Sequence, residues 1–193
     1  MPTPSRPCAD SNAIEAVAFA ITLSRVFTPR EVESLSTIET LLKDDLPHAV
    51  KVSDFLVNVD AGSQQGPAVS FQQQSASGIL LQKNSASGRA EWALRAAAET
   101  IVVNCWNYTS WDEVWPKAKK YLSSAIAAAC VDQQLYAVSL ATQVIDKFIY
   151  EDSGSSVDYS VDEVFSQDCP YLTPMARNSG KFWHVHQGWF DDA

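Results

Sequence analysis

The chain has 193 residues, 46% hydrophobic and 19% charged, with a formal net charge of -9. Such a chain fits one globular domain that buries its core without disulfides or a structural metal. The acidic balance repels phosphate backbones, and no run approaches the ~20 apolar residues of a membrane span, so neither nucleic acid nor a bilayer is an expected partner.

Residues 1–12 are rich in Pro, Ser and Asn and read as a flexible tail. Glu15 interrupts the first apolar run and prolines crowd the start, which is not the pattern of an export signal. From Ile14 to Arg25 the side chains alternate: Val17, Phe19, Ile21 and Leu23 on one side, Ala16, Ala18, Ala20 and Thr22 on the other. That period predicts a strand. Thr28-Pro29-Arg30-Glu31 then opens a helix, with Thr28 as cap, Pro29 in the first turn and Glu31 closing a capping box. Val32, Leu35, Ile38 and Leu42 form its inner stripe, and Pro47 ends it.

The middle of the chain predicts a meander. Val50, Val52, Phe55, Val57 and Val59 mark a strand with an irregularity near Asp54, and Val69 and Phe71 mark the next. Ser75-Ala76-Ser77-Gly78 and Ser85-Ala86-Ser87-Gly88 both read as turns around a short strand, Ile79 to Asn84. Residues 90–106 read as one long strand, or as two joined near Ala97–Glu99. Ser110 and Glu113 suggest a second capping box. Val114, Ala118, Tyr121, Leu122, Ala125, Ile126 and Ala129 then repeat at helical spacing, with Pro116 as an irregularity one turn in. Lys117, Lys119 and Lys120 read as a solvated helix face. Gln134 to Tyr150 is again extended.

The fold expected is therefore α+β: an antiparallel meander with two main amphipathic helices, and a strand-helix-strand order occurring twice. The domain spans 13–150, and 151–193 form an acidic, aromatic segment docked on it. That segment holds eight acidic and two basic side chains, so it carries most of the net charge. Cys8, Cys105, Cys130 and Cys169 show no paired spacing, and Cys105 and Cys130 read as small buried hydrophobes in a reduced, cytoplasmic protein.

Val103-Asn104 at a strand end, followed by Tyr108-Thr109-Ser110-Trp111 at the step into a helix, resembles a sporadically distributed bacterial family of uncharacterised cytosolic proteins. The resemblance covers about residues 14–150, and members of that family extend further than this chain. It implies fold support and a bacterial, cytosolic setting, and it implies no activity.

Chemical motifs are scarce. There is no G-x-S-x-G elbow, no phosphate loop and no G-x-G-x-x-G, so no cofactor is expected and no catalytic residue is singled out. His184-Val185-His186 places two imidazoles on one side of an extended segment, which could serve a metal-dependent hydrolase if a third ligand such as His48, Asp191 or Asp192 joined them. Trp92, Trp106, Tyr108, Trp111 and Trp115 read as core between helix and sheet, or as the lining of a ligand groove or a partner surface. Trp183, Trp189 and Phe190 must dock on the domain or on another chain. The leading expectation is a non-enzymatic binding or regulatory protein in a bacterial accessory or defence locus. It would act through a protein partner or self-association, by sheet edges and the aromatic C-terminal segment. The alternatives are the metal-dependent hydrolase and the small-molecule binder.

Overall fold

The alternation from Ile14 onward does form a strand. In a computed structural model of the chain, the described residues are 5–7, 12–60, 68–130, 134–150, 166, 168, 169 and 174. They fall into two units, Glu15–Ile145 and a second made of Met1–Ile14 with Asp146–Ala193. In the second unit, strand β1 (Ser5–Pro7), inside the expected tail, pairs antiparallel with β8 (Phe148–Tyr150).

The larger unit is built on a six-stranded antiparallel sheet. Its strands are β2 (Ile14–Leu23), β3 (His48–Asp60), β4 (Ala68–Asn84), β5 (Ala90–Ala97), β6 (Thr100–Cys105) and β7 (Ala137–Asp146). Their spatial order is β3-β4-β5-β6-β2-β7. The meander from β3 to β6 is therefore extended by the first long strand of the chain, which lies against β6 rather than against its sequence neighbour. Three helices complete the unit: α1 (Pro29–Leu35), α2 (Thr37–Leu41) and α3 (Trp111–Ala129).

One face of the sheet carries the core, as the period-2 pattern requires. Val17, Phe19 and Ile21 on β2 lie opposite Cys105, Val103 and Ile101 on β6. Leu94 and Ala96 on β5 continue the layer to Leu81 and Ile79 on β4, and all of these are buried. Val114, Ala118, Tyr121, Leu122, Ala125 and Ala129 of α3 are buried too. The alanines let α3 lie close over β5 and β6, while α1 contacts β4. Leu35, Ile38, Leu42 and Leu46 bury the inner side of the first helical segment.

Several local readings need correction. The first helix is two helices, because Ser36 bonds back to Glu33 in a tighter turn (3.1 Å) before α2 restarts. Residues 90–106 form two strands, the second of the two arrangements expected for them. Ala98 takes a positive φ of 53° at the reversal, and the Thr100 hydroxyl donates to the Ala97 carbonyl at 3.2 Å. Ser75–Gly78 is not a turn but part of β4, where a Cβ on Gly78 would overlap the Ala96 carbonyl oxygen and the Ala97 Cβ. That glycine permits close strand approach. Ser85–Gly88 is a turn, with Gly88 at φ 81° and its N–H donating to the Ser85 carbonyl. The irregularity near Asp54 is a register shift between β3 and β4. Ser110 makes no side-chain cap on α3; Thr109 donates to the Glu113 carboxylate at 2.6 Å instead.

The Thr28 capping box is present, and it holds more than a cap. The Glu31 side chain accepts from the Thr28 N–H (2.7 Å) and takes both Arg25 guanidinium nitrogens at 2.8 and 2.9 Å. It is only 1% exposed. A fork-to-fork pair of this kind is the strong form of a charged hydrogen bond. The Arg25 hydrogen bonds outweigh the cost of burial and hold the Glu31 carboxyl down at about 2, from an ordinary 4.5.

A carboxyl depressed by folding stabilises the native state fully above its unfolded value and loses that contribution as pH falls towards the folded one. Glu31 should therefore contribute on the order of 3 kcal/mol above pH 4.5, lost between 4.5 and 2. Urea midpoints measured across that range should fall steeply for the native chain and more gently for Glu31→Gln. Equal slopes would disprove the assignment. The Tyr121 hydroxyl is buried without a hydrogen-bond partner, and burial pushes its ionisation upward. Tyr121→Phe removes that unsatisfied group while keeping the ring edge-on to Trp92 at 5.7 Å. Denaturant unfolding should show a gain of up to about 1 kcal/mol; a loss of that size would reveal a partner for the hydroxyl.

Candidate functional site

Strand β7 follows from Val138, Leu140, Thr142, Val144 and Ile145, side chains that favour a pleated surface. Its direction is set at both ends. The Ser24 N–H donates to the Tyr136 carbonyl (2.9 Å), and the Lys147 N–H donates to the Ala13 carbonyl (2.7 Å). The chain numbers run in opposite senses, so β7 lies antiparallel to β2. It ends the sheet, and no described strand pairs with its outer side.

Every residue of β7 is exposed. Tyr136 just before it, Val138 and Leu140 are 65%, 63% and 65% exposed, and Val144 and Ile145 are nearly half exposed. The strand contains no proline and no lysine, and its one charge is Asp146 at the last position. Those are the usual devices that blunt a sheet edge. Val138, Leu140 and Val144 make one side of the strand largely apolar, and the other carries Ala137, Ala141 and Ile145 with Ser139 and Gln143 between them. An apolar row of this kind usually faces a covering layer. Here it sits beyond the helices, which lie on β4, β5 and β6.

A second feature is a shallow pocket of about 520 Å³ lined by Glu15, Ser85, Arg89, Ala90, Glu91, Trp106 and Asn107. The Ser85–Arg89 turn forms one wall, closed by the Ser85 N–H donating to the Arg89 carbonyl (2.8 Å) and the Arg89 N–H donating to Ser85 Oγ (3.2 Å). The Trp106 N–H donates to the Glu91 carbonyl at 2.9 Å, and Lys83 pairs with the Glu91 carboxylate at 3.4 Å. Trp106 is 44% exposed. Charges of both signs beside an open indole suit a small polar or zwitterionic molecule. The lining has no histidine or cysteine to activate a nucleophile.

The remaining aromatics divide between core and surface. Trp92 is buried under Lys117, whose ammonium lies 4.8 Å from the ring centre. Lys120 pairs with Asp45 at 2.6 Å, so two of the three helix lysines have defined partners. Trp111 and Trp115 stack at 5.9 Å, and both tilt against Phe19. Trp111 is half exposed at the corner between β6 and α3. These rings pack against one another.

The other sequence-derived sites lie outside the described residues: His184 and His186 as metal ligands, and Trp183, Trp189 and Phe190 as an interface. Among the described residues, no group of three or more His, Cys, Asp or Glu is placed to hold a metal ion. No described helix is long and apolar enough to cross a membrane. No protein-family model matches this sequence, and searches of curated proteins and of solved structures return no match.

Sequence reasoning found the strand at β7 but missed its exposure. The available signal was the apolar row of Val138, Leu140 and Val144, which asks for a covering layer. The pocket had no signal beyond the Ser85–Gly88 turn. Cysteine placement also differs from expectation: Cys105 is buried, and burial pushes its thiol up, whereas Cys130 is exposed at the end of α3. A thiol reagent should label Cys130 in the native chain and reach Cys105 only on unfolding, as peptide mass mapping would show; native labelling of Cys105 would contradict this core.

Proposed function

We propose that this protein is a non-enzymatic binding module that receives a protein partner along β7 by strand addition. The observation that carries the reading is an edge strand with all ten residues exposed and apolar side chains on both of its sides. Strand addition supplies affinity through backbone hydrogen bonds and specificity through alternate side chains. The family resemblance would place this role in the bacterial cytosol, in an accessory or defence locus.

A second reading rests on the pocket at Trp106. It would take a small polar molecule, with Glu15 and Glu91 facing a cationic group and Arg89 an anionic one. That site differs from the groove between sheet and helix expected from the tryptophans.

The main reading has a direct test. Amide hydrogen exchange of residues 137–146 should slow when a partner captured from cells is bound. Leu140→Lys should weaken that binding at least tenfold without lowering the melting temperature. Binding that is indifferent to Leu140→Lys and leaves 137–146 exchanging freely would sink it. For the pocket, tryptophan emission should respond to added ligand in the native chain and not in Trp106→Phe.

A further inference from the structure

Resting on the strand-addition reading, we infer that the occupant of β7 is a second copy of the same strand, paired antiparallel about a two-fold axis at Ala141.

The strand is complementary to itself in that register. A two-fold axis at Ala141 sets Val138 opposite Val144, Ala137 opposite Ile145, Ser139 opposite Gln143 and Leu140 opposite Thr142. Val138 meets Val144, Ala137 meets Ile145 and Ser139 meets Gln143, while Leu140 meets the methyl-bearing side chain of Thr142. Cross-strand pairs of this kind are the unit of sheet stabilisation. Every residue that contacts its mate does so twice, as an isologous interface requires.

Charge selects the same strand. The chain carries -9, six of it from residues 151–193, so a contact between two copies is easiest where a surface holds few charges. Strand β7 offers ten residues with a single carboxylate, Asp146. In the Ala141 register that carboxylate falls opposite Tyr136 of the other copy, not opposite another acid. A shift of the axis by one residue, to Thr142, sets Val138 against Asp146 and so opposes an apolar side chain to a charge. A partner with basic flanks has no acidic residue within the strand to meet until Asp146, so the strand itself is fitted to an uncharged mate.

The contact is a strand pair and a strip of side chains, which places it among small interfaces whose assembly depends on concentration. Pairing would join two six-stranded sheets into one. It would also pair the edge that no described strand covers.

The test uses the full chain. Sedimentation or light scattering across a concentration series should show a reversible shift towards twice the chain mass of 21.2 kDa. Leu140→Lys should abolish the shift while leaving the circular dichroism spectrum unchanged. Register is read by disulfide trapping in a chain with Cys8, Cys130 and Cys169 changed to serine. Residues facing each other across an antiparallel pair have Cα atoms about 4.5–5.5 Å apart, within disulfide reach. Ala141→Cys should therefore cross-link to itself on mild oxidation. Ser139→Cys should not, but should cross-link when mixed with Gln143→Cys. A chain that stays monomeric, or a dimer that survives Leu140→Lys, overturns the proposal. If the monomer still binds a different protein along 137–146, strand addition stands and only the second copy is excluded; if it binds nothing there, both fail.

Discussion

The buried contact between Arg25 and Glu31 fixes the corner on which the larger unit turns. Glu31 is the buried charged side chain of the described core, and it is satisfied from three directions: Arg25, the Thr28 N–H and the Thr28 hydroxyl. An ion pair in such a place adds little net stability over apolar packing, because both charges give up water. What it contributes is position. The carboxylate can satisfy the cap and the guanidinium together only when α1 leaves β2 at one angle. The same corner carries three backbone links. The Leu23 N–H donates to the Glu99 carbonyl, the Phe27 N–H to the Ala98 carbonyl and the Ser24 N–H to the Tyr136 carbonyl. Four residues after β2 begin to turn, the chain has thus been tied to the β5–β6 reversal, to the start of β7 and to α1.

From that corner the exposure of β7 follows. Helix α1 departs towards β4, and α3 lies over β5 and β6. The meander from β3 to β6 occupies one side of β2, and the strand that follows α3 takes the far side of β2. The helices are already spent on the middle of the sheet. A strand added there gains its ladder from β2 but no cover from any described helix. An apolar row without such cover is then a departure from the rule that an antiparallel sheet turns polar side chains to solvent, and departures from local consistency concentrate at functional positions.

How much of this could be read from the chain depends on distance along it. Local chemistry was legible: Thr28 and Glu31 marked the helix start, Val17 to Leu23 marked β2, and the three- and four-residue spacing from Val114 to Ala129 marked α3. Readings failed where a distant partner decided the outcome. Ser75–Gly78 has the composition of a turn, yet Gly78 is demanded by the backbone at Ala96 and Ala97 on the neighbouring strand. Ser110 is a different case, a local one: it has the composition of a cap, yet its neighbour Thr109 takes Glu113. Glu31 was legible as a cap and not as one half of an ion pair, because nothing in the sequence says that Arg25 folds back six residues onto it. The candidate site was the least legible part. Val138, Leu140 and Val144 spell a strand whether it lies in the middle of a sheet or at its edge, and only the order of all six strands distinguishes the two.

The acidic surplus and the open edge also bear on each other. An unblunted strand is a template for indiscriminate pairing, and proteins usually guard it with lysine, proline or a bulge. Strand β7 contains neither lysine nor proline. A net charge of -9 supplies a different guard, acting over roughly a Debye length of about 8 Å at physiological salt. It holds like chains apart in every orientation except those that bring together surfaces poor in charge. The strand is such a surface, and it is the one whose backbone groups gain most from a mate. Repulsion elsewhere and hydrogen bonding here act together, so the scarcity of charge on β7 is consistent with a contact at this edge of the sheet, whose other edge is β3.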